Sequence, residues 1–477
     1  MNRIVGLETE YGCLSDDPLG PAAAVGAVRN WIFEGRRHGL PDVCQRDWDE
    51  PAGNGGFLFN GGRAYVDMGH LEICTPECLS LRDLIVYDRA GDALINVAMQ
   101  ALGLDGRAGF VRNNIDHYSG ATFGCHENYL VRRKAPLAEA NVLSLIVFLT
   151  LRVLYTGAGR VGASLGAENR GDLQSDQANP HFQISQRADY INNDLFEWVQ
   201  FNRAIINTRD EPLADPRRYR RLHLLHGDTS VLPFTLGLKI GTTSLMLDLL
   251  EINHLPPVCL ADAVHTFRRL SHQTTGPWRV ELATGETCDA LELLGRYHAA
   301  AAAEFAGRDE ETDTVLRFWK ETLSQLAADP ASLCGRIDWI TKQTIFSQFV
   351  EREGLSWDDP WLRSQDLEFH HIHPARSLGL ALDQTPPPWN FNPEHVDSAC
   401  RLPPVDTRAA ARSALMHVAA KHDRKHYFVD WEIFDLEGHA TLHLLNPFDP
   451  SPPELVKAVP SLGEALRGSQ SPPGSTP

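Results

Sequence analysis

Four glutamates near the start of the chain set a chemical problem. Glu8 and Glu10 stand two apart in GLETEYG, and Glu72 and Glu77 lie close together in GHLEICTPEC. Side chains two apart on an extended strand point to the same face, so Glu8 and Glu10 are expected to share one. Carboxylates gathered on one face repel and raise each other's pKa unless cations neutralise them. Hard oxygen donors with few cysteines or histidines beside them suit Mg²⁺ better than zinc, and Mg²⁺ typically arrives carrying nucleotide phosphates. Taken singly, each glutamate can equally be read as an exposed strand carboxylate.

A second group is NGGRAYVD, residues 60–67. Arg63, Tyr65 and Asp67 alternate and should share one strand face, with Ala64 and Val66 on the buried side. Arg63 and Asp67 would then stand roughly 13 Å apart at ~3.3 Å per residue, too far to pair with each other. The guanidinium fork suits a phosphate, and the aspartate suits a base or nucleophile at a carbonyl carbon. Weaker signals are GCHENYL (124–130), with His126, Glu127 and Asn128 after a glycine; TGAGR (156–160), a Gly-rich turn lacking the GKS/T ending of a phosphate loop; and the polar run that holds Arg187, Arg209 and Glu211.

These residues need elements to position them. Residues 3–12 alternate as Ile4, Gly6, Glu8, Glu10 against Val5, Leu7, Thr9, Tyr11, the period of a strand with two distinct faces. A second strand is predicted over Phe57–Asp67 after a polar loop at Asp47–Gly56. Helices are predicted over Ala22–Gly35, Leu81–Leu102, Leu137–Thr156, Thr243–Ile252, Ala290–Ala328 and Trp339–Glu353, and a small strand unit over His426–Leu445. Helices cluster rather than alternating with strands, which points to an α+β fold around a largely antiparallel sheet. Prolines at 386–388 and 403–404 mark a junction. The expected division is a large catalytic domain over residues 1–400, a small C-terminal domain over 401–466 and a disordered tail over 467–477.

The 477 residues are 43% hydrophobic and 22% charged, the balance of a globular protein, and the formal net charge is −18. That charge argues against a nucleic-acid binder. No apolar run reaches bilayer length, and MNRIVGLETEYG has no signal-peptide layout, so no membrane partner and a cytoplasmic location are expected. Nine cysteines form no disulfide framework, and Cys74 and Cys78 lack the partners of a zinc site. Arg217, Arg218, Arg220 and Arg221 form a basic patch that reads either as a solvated face or as an anion-binding edge.

Taken in order, GLETEYG, NGGRAYVD, GCHENYL, TGAGRVG, FQISQRADYI, INTRDEPLADPRRYRRLH, LKIGTTSLMLDLLE and YFVDW resemble the Pup ligase and Pup deamidase/depupylase family, from residue 6 to residue 431. The resemblance implies a glutamine-synthetase-like curved antiparallel sheet cradle packed with helices, ATP and Mg²⁺ as cofactors, and Pup with pupylated or lysine-bearing proteins as partners, with a functional link to the proteasome. It implies that Glu8, Tyr65 and Glu72 hold magnesium with Glu10 in the same site, and that Arg63, Thr75 and Trp431 contact ATP. It further implies that Arg209 joins them as a nucleotide contact and that Asp67 is the catalytic aspartate. The family's usual His-Pro-Glu-Tyr is His70, Leu71, Glu72, Ile73 here.

Two reactions on one chemistry follow. TGAGRVG, FQISQRADYI, LKIGTTSLMLDLLE, the spacing from Asp67 to Glu72 and the run at Asp329–Trp339 look like the depupylase branch. GCHENYL, TGPWRVELATGE, NPFDP and the short interval from Trp48 to Asn60 look like the ligase branch. The expected activity is depupylation or deamidation at the C-terminal Glu/Gln side chain of Pup. The alternatives are Pup–protein ligation, a small-molecule carboxylate–amine ligase, and a non-catalytic Pup-binding scaffold.

Overall fold

The alternation at the N-terminus places Val5, Leu7, Thr9 and Tyr11 in the interior, with Gly6, Glu8 and Glu10 less buried on the other face. The structure is a computed structural model and describes residues 1–452 apart from 2, 17, 48–49, 117–120, 163–180, 198–202, 422–424 and 439. The tail expected over 467–477, the end of the 401–466 unit and Trp48 lie outside the described residues.

The chain lays down β1 (Val5–Ser15), β2 (Gly39–Pro41), β3 (Gly55–Leu58), β4 (Arg63–Asp67), β5 (His70–Cys74), β6 (Ala108–Val111) and β7 (Cys125–Arg132). A small pair follows, β8 (Arg160–Val161) with β9 (Phe182–Gln183), and then β10 (Asn193–Phe196), β11 (Ala204–Asn207) and β12 (Tyr219–Leu224). The main sheet runs β10-β11-β12-β7-β1-β5-β4-β3-β2, with β6 pairing the far end of β1. Every pair in it is antiparallel except β10 with β11. The α+β reading with a largely antiparallel sheet therefore holds.

One face of the sheet is packed with helices. Val5, Leu7, Tyr129 and Val131 join a large apolar cluster with the helices Leu81–Ala101, Glu139–Leu151 and Pro233–Glu251. Tyr11, Ala64, Leu71 and Ile73 form a second cluster with the helix Pro21–Phe33. Ser80 starts Leu81–Ala101 as an N-cap, its side chain accepting from the Asp83 N–H. Beyond a β13 (Arg279–Glu281) and β14 (Thr287–Asp289) hairpin and further helices, the described residues close with the helix Arg408–Lys421 and a three-stranded sheet of β15 (Tyr427–Val429), β16 (Ile433–Leu436) and β17 (Leu442–His443). A third cluster packs Leu415, Met416, Tyr427 and Phe434 onto Leu40, Phe57 and Phe59 of the main sheet's edge.

Several expected elements change shape. Phe57–Asp67 is a hairpin rather than one strand, turning at Asn60-Gly61-Gly62, where Leu58 N–H bonds the Gly62 carbonyl at 2.8 Å. Gly61 has φ 88, and a Cβ there would meet Ala409 Cβ at 2.7 Å, so only glycine fits. Ala290–Ala328 splits into Ala290–Phe305 and Glu310–Ala328, and the helix expected from Thr243 starts at Pro233, a favoured N1 residue.

Candidate active site

Register brings the site together. Glu10 stands opposite Glu72 across β1 and β5, Tyr65 opposite Glu72 and Asp67 opposite His70 across β4 and β5, and Glu8 opposite His126 across β1 and β7. Directly opposed residues of an antiparallel pair point to the same face. Glu8, Glu10, Tyr65, Asp67 and Glu72 thus share the face that the helices leave open. Glu10, Asp67 and Glu72 each bring an oxygen into a set lying within 4.8 Å of one another, and Glu8, His126 and His223 bring ligand atoms into a second such set. Gly124 keeps the floor clear, since a Cβ there would lie 2.8 Å from Glu10 Oε1 and 2.4 Å from His126 Nε2.

The glutamates divide by environment. Burial pushes Glu8 up, but the His126 ring nitrogen bonded to it at 3.0 Å and the His223 ring nitrogen 3.7 Å away outweigh it and hold its carboxyl well below the usual range; Asn128 Nδ2 donates to its other oxygen at 2.8 Å. Glu72 goes the other way, raised well above the ordinary value by burial and then by the charges of Glu8, Glu10 and Asp67, although the Tyr65 hydroxyl donates to it. Burial likewise lowers His223 to about 4, which leaves it neutral and able to offer a lone pair. Three carboxylates brought this close together, with Glu72 raised well above its ordinary range, form a set of hard oxygen donors that fits a divalent cation.

Beside the strip lies a cavity of about 390 Å³ that reaches from Glu8 and Tyr65 to Trp431 and Pro447 in the C-terminal unit. Arg63 and Thr75 line it. Arg63 is held by Glu50 at 2.5 Å and Asp42 at 3.1 Å, both from the connection between β2 and β3. Thr75 Oγ1 accepts from the Leu7 N–H at 3.0 Å, extending the β1–β5 ladder into the cavity wall. Trp431 packs edge-on to Phe57 at 5.1 Å with the Arg412 guanidinium 4.9 Å from its ring. Arg209 lies outside the cavity wall, half-exposed and paired with Glu211 at 2.8 Å, and it is Glu211 and Arg221 that line the wall there.

Two sequence groupings come apart. Glu77 is not part of the acidic strip: it lies past the end of β5, bonded by Arg408 at 2.7 Å and by Arg412. The basic patch also divides, with Arg221 in the cavity wall, Arg220 on the opposite face of β12, and Arg217 and Arg218 exposed before it. Sequence reasoning singles out His126 and Asn128 only as part of a weak polar group and passes over His223. Period two in CHENYL puts His126 and Asn128 on one face and Glu127 on the other, where Glu127 is fully buried against Arg152 at 2.6 Å. His223 needed the β7–β12 register, which sets it opposite Asn128.

Known proteins are similar to this chain along nearly its whole length. A Pup–protein ligase of Micrococcus luteus is 36% identical over 470 residues, covering 94% of this chain and 96% of its own. A depupylase of Acidothermus cellulolyticus is 33% identical over 499 residues, covering 94% of each. The Pup ligase PafA matches in its complex with Pup (TM-score 0.82, 29% identity, 98% of this chain and 93% of that one) and in its complex with ADP (TM-score 0.75, 30% identity, 87% and 90%). Since the model described as Pup-ligase protein also matches residues 3–435, the sheet, its acidic face and the cavity beside it are those of a chain that belongs to the Pup-ligase family.

Proposed function

We propose that the chain is a depupylase and Pup deamidase, cleaving the C–N bond at the side chain of Pup's C-terminal residue, with ATP in the cavity and Mg²⁺ on the carboxylates. What supports the reading above all is the convergence of Asp67 with Glu10 and Glu72 at the open end of a cavity that Arg63 and Trp431 line. Bound there, Mg²⁺ would supply positive charge to the carboxylates and to nucleotide phosphates. Glu8, Glu10, Glu72 and Tyr65 would hold it, Arg63 and Thr75 would meet the nucleotide, and Trp431 would contact the nucleotide from the C-terminal unit. Asp67 attacks the γ-carbonyl or takes a proton from water that does so. As base, Asp67 passes that proton to the lysine amine or ammonia as the C–O bond forms and the C–N bond breaks; as nucleophile, it forms an acyl anhydride while the leaving amine takes its proton from solvent, and water then cleaves the anhydride to free the γ-carboxyl and Asp67. The hydrolytic direction is favoured because the depupylase-like QISQRADYI folds against the strip. Its Arg187 donates to the Phe123 carbonyl, and the Phe123 ring stacks on His70 at 4.7 Å.

Ligation is the second reading, favoured by the Micrococcus luteus relative and by the short connection from Pro41 to Gly55. There the lysine amine attacks the carbonyl carbon of an acyl phosphate made from ATP, Asp67 accepts the amine proton, and phosphate leaves as the acyl C–O bond breaks. One gel assay separates the two: with ATP and Mg²⁺, the protein should free a Pup-linked substrate or convert glutamine-ended Pup to glutamate-ended Pup. Conjugate formed from glutamate-ended Pup with stoichiometric ATP consumption would put the ligase in its place, and turnover of free glutamate without Pup would make it a small-molecule ligase. Asp67→Asn should abolish turnover and leave nucleotide binding intact; a scaffold would be indifferent to it.

A further inference from the structure

The turn that joins β4 to β5 is two residues long, Met68 and Gly69, between Asp67 and its cross-strand partner His70. Both turn residues have positive φ, 43 at Met68 and 93 at Gly69. Two-residue hairpins of this hand call for asparagine, aspartate or glycine at the first position, because other side chains crowd their own backbone there. Methionine breaks that rule. Packing does not compensate it, for Met68 is 91% exposed, the most exposed large apolar side chain among the described residues. A local rule broken without a stabilising gain points to a functional contact, and the neighbour here is Asp67.

We propose that Met68 is a contact residue for the lysine-bearing protein, its thioether chain lying along the methylene stem of the lysine whose ε-nitrogen is joined to Pup. The inference rests on the Pup reading above but not on its direction, since the attacking amine of ligation and the leaving amine of hydrolysis occupy one place. The chemistry suits the task. An enzyme that meets many different proteins needs adhesion without sequence demands, and an unbranched, polarisable side chain moulds itself to varied surfaces. The feature common to every such substrate is the lysine's apolar stem. The carboxylates behind the turn then face the nitrogen while Met68 meets the carbons.

Met68→Asn, the residue the turn prefers, keeps the fold and should melt higher than the parent, which separates loss of contact from loss of structure. Steady-state kinetics are compared on two substrates, a Pup-linked protein and glutamine-ended Pup, or, if the enzyme ligates, a lysine-bearing protein and hydroxylamine as acceptors. Met68→Asn should lose roughly tenfold in kcat/KM on the protein, mostly through KM, and stay within about twofold on the small substrate, while Met68→Leu keeps most of the protein rate. Equal rates on the protein overturn the assignment. Equal losses on both substrates also overturn it, because the turn would then be serving the carboxylates. A parent enzyme idle on every form of Pup instead sinks the reading of the site, and this inference with it.

Discussion

Glu8 and Glu72 have one side chain and opposite environments. Two imidazoles and an amide hold Glu8 ionised, whereas burial and three neighbouring carboxylates hold Glu72 far above its ordinary range. A carboxyl raised by folding loses stability as pH rises past its unfolded value near 4.5, so the cost falls on the metal-free protein at neutral pH. Glu72→Gln removes that cost and keeps an acceptor for the Tyr65 hydroxyl. The metal-free variant should gain about 1–2 kcal/mol by chemical denaturation. It should also lose most of the thermal shift that Mg²⁺ with ATP gives the parent, about 2.7 kcal/mol at a hundredfold excess over Kd. A full shift in the variant would remove Glu72 from the metal set. At this scale the sequence was legible wherever one strand's period decided the matter: Glu8 with Glu10, and Arg63 with Tyr65 and Asp67. It was illegible where partners came from other strands, as with His126 and His223 at Glu8, or where the strand had ended, as at Glu77.

Past Cys74 the chain leaves the sheet, and Glu77 becomes a clamp rather than a ligand. Burial alone would push its carboxyl up, but the Arg412 and Arg408 guanidiniums outweigh it and hold it at about 2. Arg412 also donates to the Gly61 carbonyl at 2.6 Å and the Trp431 carbonyl at 2.9 Å. One carboxylate thus ties the NGG turn, the helix Arg408–Lys421 and the cavity wall together. Because the folded pKa lies below the unfolded one, this stabilisation is complete above about pH 4.5 and fades as pH falls toward 2. Glu77→Gln leaves two buried guanidiniums short of a counter-charge, which costs about 3 kcal/mol at pH 7. Urea melts from pH 6 down to pH 3 should show the parent approaching the variant, and nucleotide affinity should drop because Trp431 is no longer fixed. Parallel pH profiles would show that the clamp contributes nothing. Local pattern located most elements, and two of its errors share a cause: hydrophobic periodicity runs through a glycine turn, as at Asn60-Gly61-Gly62 and at Gly307, without registering the break.

The whole sheet works by keeping its two faces apart, apolar residues to the helices and charged ones to the cavity, and this was readable because antiparallel strands alternate. The parallel β10–β11 pair was not, since pairing direction depends on connections rather than composition. Net charge raises the remaining question, for a chain of −18 must bind Pup, which the family resemblance implies is acidic. The register of β7 with β12 answers it locally. Arg132 stands opposite Tyr219, and the Arg133 N–H bonds the Arg218 carbonyl at 2.8 Å, so Arg132 and Lys134 lie exposed alongside exposed Arg217 and Arg218 at the end of the strand pair whose Leu130 and Arg221 line the cavity. Asp215 pairs with Arg217 at 3.2 Å and Glu251 with Arg132 at 3.4 Å, while the Arg218 guanidinium lies over the Tyr219 ring. An acidic chain reaching the cavity from this edge would cross four cations. Arg217→Glu with Arg218→Glu should therefore weaken Pup binding about tenfold at low salt and much less at 0.5 M salt, where the screening length falls to about 4 Å. Fluorescence anisotropy with labelled Pup reads both conditions, and a loss that ignores salt would mean the edge acts by shape rather than by charge.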